Sequence, residues 1–320
     1  MKTEIKTMRD VYIEEIYKRM HYDDKIFFLC ADFGAPKLDQ LKNKFKKRFL
    51  NVGIAEQNLI NISTGLALEG FTVYAYAIAP FLTMRAYEQI RVNLAMLSQL
   101  KEININLIGV GAGLSYDVSG PTHHCLEDIT IMRLLPNFTV FSPSDWVLAK
   151  RFMDFSLQKK NPKYLRFDSK PLPQIYKETE RIELKNGFCQ LRKGKKICLV
   201  ATGYFSHKAV KIANMLDREN FDIGVIDVFL LKPLNEDLFF STIKGYGGVI
   251  TLEEGFINSG GLDSLVAGIL DSRNSNVRLK RIGFSNAYVF DIGDREYLHK
   301  LNNVDDDSII RNIRRMKSCI

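Results

Sequence analysis

The residues best suited by type and spacing to do chemistry fall in two short segments of this 320-residue chain, NVGIAEQ at 51–57 and SYDVSGPTHHCLED at 115–128. In the first, a strand-like run passes through Gly53 into a segment of helical periodicity, which sets Glu56 in the first turn of a helix. A carboxylate there feels two opposed influences: the helix dipole lowers its pKa, and burial against an apolar ring raises it. On residue type alone, the commoner role of such a glutamate is to stabilise the first helical turn. In the second segment, His123 follows a Gly-Pro turn between a predicted strand and a predicted helix, and an imidazole that titrates near neutrality can donate or accept a proton. Asp117 in this loop reads either as a solvent-facing carboxylate or as one reaching into the site. Asp32, closing IFFLCAD, and Arg166, in KYLRFDSK, stand at predicted strand ends, where open α/β sheets bind their ligands. The guanidinium fork of Arg166 suits phosphate, and a surface ion pair with Asp168 is the plainer alternative. His207 reads as a surface or capping residue.

The elements that must position these residues follow from periodicity. IFFLCAD (26–32), RFLNVG (48–53), FTVYAYAI (71–78), INLIGVG (105–111), FTVFSPS (138–144) and KYLRF (163–167) are rich in β-branched and aromatic residues and predict strands. Helical stretches lie between them, preceded by an amphipathic N-terminal helix. Over 54–69, Ala55, Leu59, Ile62 and Leu66 form one apolar face ending at Gly70. The stretch 173–195 loses periodicity and gains proline and charge, which predicts a linker between domains at 1–172 and 196–320. KICLVATG, FDIGVIDV and GGVITLEEG then predict further strands, and DDSIIRNIRRM a closing helix. The expected fold class is α/β, two domains, each a largely parallel sheet flanked by helices.

Composition excludes several classes. With 46% hydrophobic and 26% charged residues the chain is an ordinary globular protein, and no apolar run has the roughly 18 residues needed to span a bilayer. The charged N-terminus is unlike a signal peptide, so the expected location is cytoplasmic, with no membrane contact. Cys30, Cys125, Cys189, Cys198 and Cys319 lack metal-ligand spacing and read as reduced thiols. The net charge of +8 comes without a nucleic-acid motif, so no nucleic acid is expected. Lys42, Lys44, Lys46, Lys47 and Arg48 read as a solvated face, or as attraction for an anionic substrate.

The run NVGIAEQNLINISTGLALEGFTVYAYAIAPF resembles the pyrimidine-binding domain of the transketolase family. The resemblance implies that Glu56 hydrogen-bonds a pyrimidine nitrogen of thiamine diphosphate and so promotes loss of the reactive thiazolium proton. PFLTMRAYEQIR resembles the stretch that packs around that ring, implying contacts from Phe81 and Tyr87, with Met84 standing where the family usually has phenylalanine. The loop GPTH resembles the family's D-G-P-T-H-Q segment, implying that His123 contacts substrate, while Ser119 replaces an aspartate that reads a ketose hydroxyl. By the same resemblance Arg166 binds a substrate anion, and Asp32 lies near the cofactor and a subunit interface. From about 194 onward the chain resembles the family's C-terminal domain. It has no GDG motif, so the resemblance implies an N-terminal transketolase-like partner subunit that holds the diphosphate and Mg²⁺, in a two-plus-two heterotetramer. The implied activity is transfer of a two-carbon ketol or related acyl unit from a ketose or 2-oxo donor to an aldehyde, with specialised sugar synthesis as one setting. The alternatives are a 2-oxoacid dehydrogenase beta subunit, a deoxyxylulose-phosphate-synthase-like enzyme, or a non-catalytic scaffold subunit.

Overall fold

The computed structural model describes residues 4–219 and 221–318; Cys319 lies outside them. In chain order the strands are β1 (Ile5–Lys6), β2 (Ile26–Cys30), β3 (Phe49–Asn51), β4 (Thr72–Ile78), β5 (Asn104–Val110), β6 (Thr139–Phe141), β7 (Lys163–Phe167), β8 (Leu172–Pro173), β9 (Phe188–Arg192), β10 (Ile197–Ala201), β11 (Ile223–Val228), β12 (Leu230–Lys232), β13 (Gly248–Phe256) and β14 (Arg278–Phe284). They build a seven-stranded sheet ordered β12-β6-β7-β5-β4-β2-β3, a five-stranded sheet ordered β14-β13-β10-β11-β9, and a small β1-β8 ribbon. Both large sheets are parallel except at one edge, where β12 and β9 run antiparallel to their neighbours. Central strands such as IFFLC and ICLVA are apolar along nearly their whole length because helices cover both faces.

The helices are α1 (Met8–Met20), α2 (Leu38–Lys44), α3 (Glu56–Leu68), α4 (Tyr87–Gln89), α5 (Asp128–Leu134), α6 (Trp146–Gln158), α7 (Tyr204–Asp217), α8 (Glu236–Ile243), α9 (Leu262–Asp271), α10 (Arg295–Leu301) and α11 (Asp306–Lys317). Several starts carry a side-chain cap: Thr7, Asp145, Asn235, Asp294 and Asp305 each accept a first-turn backbone N–H. The buried face of α3 differs from the expected one. Glu56, Leu59, Ile60, Ser63, Thr64 and Ala67 face inward, whereas Ile62 and Leu66 are only partly buried. The displacement arises because polar Ser63 and Thr64 are tolerated inside; Thr64 satisfies its hydroxyl on the Ile60 carbonyl at 2.8 Å.

Two features redraw the expected domain boundary. Strand β9 falls within the stretch read as linker, which leaves 174–187 as the connection. Strand β12, from the second half of the chain, leaves its own sheet and pairs with β6 of the first, Leu230 opposite Phe141. Lys232 then donates to the Arg133 and Leu135 carbonyls at 2.8 and 2.6 Å, satisfying the end of α5.

Lys163, at the start of β7, is fully buried and bonds the Asn104 side-chain oxygen at 2.7 Å and the Asn161 carbonyl at 2.9 Å. No carboxylate pairs with it among the described residues, so burial pushes its pKa well below the ordinary 10.5. The folded amine gives up its proton at a lower pH than the unfolded one, so stability rises as pH rises toward that ordinary value. Between about pH 8 and 10, wild-type protein should gain up to about 1.4 kcal/mol per pH unit relative to Lys163→Met in chemical denaturation. Parallel stability curves for the two proteins would show that the amine is charged in the fold.

Candidate functional site

The site is built at the carboxyl ends of β2, β3 and β4. Strand β3 ends at Asn51, whose side-chain oxygen accepts the backbone N–H groups of Asp32 and Gly53, each at 3.0 Å. Its amide donates to the Asp32 carboxylate at 3.3 Å, so Asp32 braces the strand-to-helix turn. Gly53 turns the chain at φ +76°, a conformation that favours glycine, and Asp32 adopts φ +43° without being one. The turn leaves Ile54 76% exposed and delivers Glu56, 6% exposed, at the head of α3.

Glu56 is not free. Arg85 Nη1 lies 3.2 and 3.4 Å from its two carboxylate oxygens, and the guanidinium stands over the Phe81 ring, 4.0 Å from the centroid. Gln57 donates to the Arg85 carbonyl at 3.1 Å and fixes the arginine backbone. Phe81–Arg85 is a π-helical turn, the widened winding often found at functional sites. Phe81 also meets His123 edge to face, centroids 5.1 Å apart. Glu56, Phe81 and His123 are thereby joined by a continuous run of contacts through Arg85. Met84 is exposed beside them, and Tyr87 is half-buried with its hydroxyl donating to the Ile131 carbonyl at 2.9 Å.

The loop between β5 and α5 carries His123. Gly111, at φ +110°, has the Tyr116 ring 2.5 Å from where a Cβ would stand, and Gly113 is backed by Glu254. Ser119 is exposed, and His123 is half-buried with Nδ1 3.1 Å from the Thr122 hydroxyl. Asp117 is neither solvent-facing nor aimed at a substrate. It is 3% exposed, pairs with Lys170, and accepts the backbone N–H groups of Val118 and Arg295 at 2.9 and 2.8 Å. Burial alone would raise its pKa, but Lys170 and the two amides bring it below the ordinary value. His124 is buried, which lowers its pKa.

Arg166 does not form the expected surface pair with Asp168, which pairs with Arg295 instead. It is 3% exposed; Nε donates to Asp128 at 2.7 Å, and Nη2 to the Cys125 and Glu254 carbonyls at 3.2 and 3.0 Å. Asp128 also accepts the Tyr164 hydroxyl at 2.7 Å. Through Nε and Nη2, Arg166 thus clamps the end of the His123 loop to β7 and β13.

Sequence reading missed the neighbouring network. Arg295 donates to Glu254 at 2.8 Å and forms an ion pair with Asp168 at 2.7 Å, and His299 Nε2 lies 2.6 Å from Glu254. Burial would raise the Glu254 carboxyl, but Arg295 and His299 hold it well below the ordinary carboxylate range. Only the adjacent glutamates of TLEEG hinted at it. A groove of about 600 Å³ runs between α1 and Trp146 and does not include Glu56.

Residues 5–174 match the family described as transketolase, pyrimidine binding domain, and residues 189–309 match transketolase, C-terminal domain. An apulose-4-phosphate transketolase subunit of Actinobacillus succinogenes is 34% identical over 90% of each chain. A 6-deoxy-6-sulfo-D-fructose transketolase subunit of a Clostridium strain is 27% identical over 97% of this chain and 94% of that one. Among solved structures, a split-gene transketolase described as an inactive beta4 tetramer superposes with a TM-score of 0.86 at 27% identity, covering 97% of this chain and 98% of its own.

Proposed function

This chain belongs to the transketolase family, and we propose that it supplies the pyrimidine-binding half of a split thiamine diphosphate enzyme that transfers a two-carbon ketol unit from a ketose or 2-oxo donor to an aldehyde. The observation that carries the reading is the run of contacts that joins Glu56, Phe81 and His123. A carboxylate beside an aromatic face fits an aminopyrimidine, and a planar nitrogen cation, the Arg85 guanidinium, already lies against both groups. Bound thiamine diphosphate would supply the electron sink for carbon-carbon cleavage. The protein's part is proton placement and orientation.

Glu56 would accept the ring N–H and hold that proton, Phe81 would offer its face to the ring, and Met84 and Tyr87 would wall it, with Asp32 holding the turn. His123 would move a proton at the substrate oxygen, and Ser119 beside it would bond a sugar hydroxyl in place of the family's carboxylate. Arg166 would hold the His123 loop in place through Nε and Nη2. Substrates of the two named relatives are modified sugars, which supports a specialised sugar substrate over the dehydrogenase, synthase and scaffold alternatives.

The chain has no GDG segment, so the diphosphate and Mg²⁺ are assigned to an N-terminal partner subunit in a two-plus-two complex. The split-gene relative, a tetramer of beta chains described as inactive, supports that need. No described helix is long and apolar enough to cross a membrane, and a cytoplasmic location belongs to the same proposal.

Calorimetry on the complex co-purified with the partner, beside the chain alone, tests the reading. The complex should bind thiamine diphosphate with Mg²⁺ at least about a hundredfold more tightly, because diphosphate charges left uncompensated cost several kcal/mol. Equal binding by the isolated chain would refute the split site. Release of carbon dioxide from pyruvate without ketol transfer would favour the 2-oxoacid alternatives.

A further inference from the structure

We infer that Arg85 is a placeholder for the cofactor's pyrimidine: in the free subunit its guanidinium occupies the ring's seat on Glu56 and Phe81, and cofactor binding must displace it. The inference rests on the functional reading above and goes beyond it, since it assigns a competitor to the same seat.

Three observations converge on Arg85. Its Nη1 reaches both oxygens of Glu56, at 3.2 and 3.4 Å. Its planar head lies over Phe81, 4.0 Å from the ring centroid. These are the two contacts an aminopyrimidine would need, and guanidinium resembles that ring's amidine edge in being flat, delocalised and rich in N–H donors. Both cannot occupy one ring face and one carboxylate together.

The third observation concerns release. The Arg85 side chain is 50% exposed whereas that of Glu56 is 7% exposed, so the arginine is a removable cover over a sheltered acid. Its backbone is pinned by Gln57, which confines the required movement to the side chain. The ion pair is made through a single nitrogen and is half in water, a geometry of modest strength. A placeholder must have that property. It pairs with Glu56 until a better-fitting ring arrives and then yields.

Thiamine diphosphate titrations of the partner-bound complex, in wild type and Arg85→Gln, provide the test. Removing a half-exposed ion pair and a cation–π contact should tighten cofactor binding roughly three- to thirtyfold. In Arg85→Ala, millimolar guanidinium chloride should compete with thiamine diphosphate and raise its apparent Kd, an effect absent in wild type, where the seat already holds a tethered guanidinium. Unchanged or weaker binding by Arg85→Gln, with wild type binding normally, overturns the placeholder and leaves the functional reading standing; weaker binding would make Arg85 a cofactor ligand. A wild-type complex that binds no thiamine diphosphate overturns the functional reading and this inference with it.

Discussion

Glu56→Gln should lower ketol transfer by the reconstituted complex about a hundred- to ten-thousandfold, the range expected when a positioned proton-transfer group is lost. Glutamine keeps the size of the side chain and removes the charge that would hold a proton on the cofactor ring. The fold should barely respond. Among the described residues the ion pair lost is the one to Arg85, half in water and worth no more than about 1 kcal/mol. Activity assayed with saturating thiamine diphosphate, beside a thermal melt, separates chemistry from folding. If the variant keeps more than about a tenth of wild-type turnover, Glu56 is not the acid the mechanism needs.

Arg295→Met should have the largest effect on stability. The wild-type guanidinium is buried and forms ion pairs with two carboxylates, Glu254 and Asp168. Methionine fills similar volume but leaves both acids without their cation, and breaking a buried pair from one side costs about 3–5 kcal/mol. A melting temperature lower by roughly 6–20 °C is expected from that loss. The pH dependence should change too. Glu254 is held below its ordinary pKa, so its contribution is present above about pH 4.5 and lost as pH falls through the depressed folded value. Without Arg295 that acid-dependent loss should largely vanish in urea titrations across pH 3 to 7. A melting temperature within about 2 °C of wild type would mean the network contributes little.

Much of this fold was legible because its central strands are buried on both faces and therefore spell themselves as apolar runs. KYLRF forms β7 with the expected bounds, and the starts and ends of the other expected strands fall close to the observed ones. What stayed hidden depends on partners distant in sequence. Arg166 looks solvent-facing in a strand until Asp128, thirty-eight residues away, is found beside it. Asp117 looks like a loop acid until Lys170 and the Arg295 amide meet it. Strand β9 hides behind its terminal arginine and the lysines that follow, since an edge strand need bury only one face. Glu56 and His123 stand out by their motifs, and contacts through Arg85 and Phe81 join them. Arg85 does not stand out, because nothing in the spacing of an exposed arginine says that it folds back over Phe81 onto an acid twenty-nine residues earlier.

The small strand β12 bears on how this chain could be recombined with its relatives. It belongs by order to the second half, yet it closes the edge of the first sheet along Thr139–Phe141. A chimera joined anywhere in 174–187 would import a foreign closing strand and must match its register to β6, or leave a row of peptide groups open to sticking. The natural crossover unit is therefore the whole chain, and exchanging it intact against different partners is the graft its architecture permits.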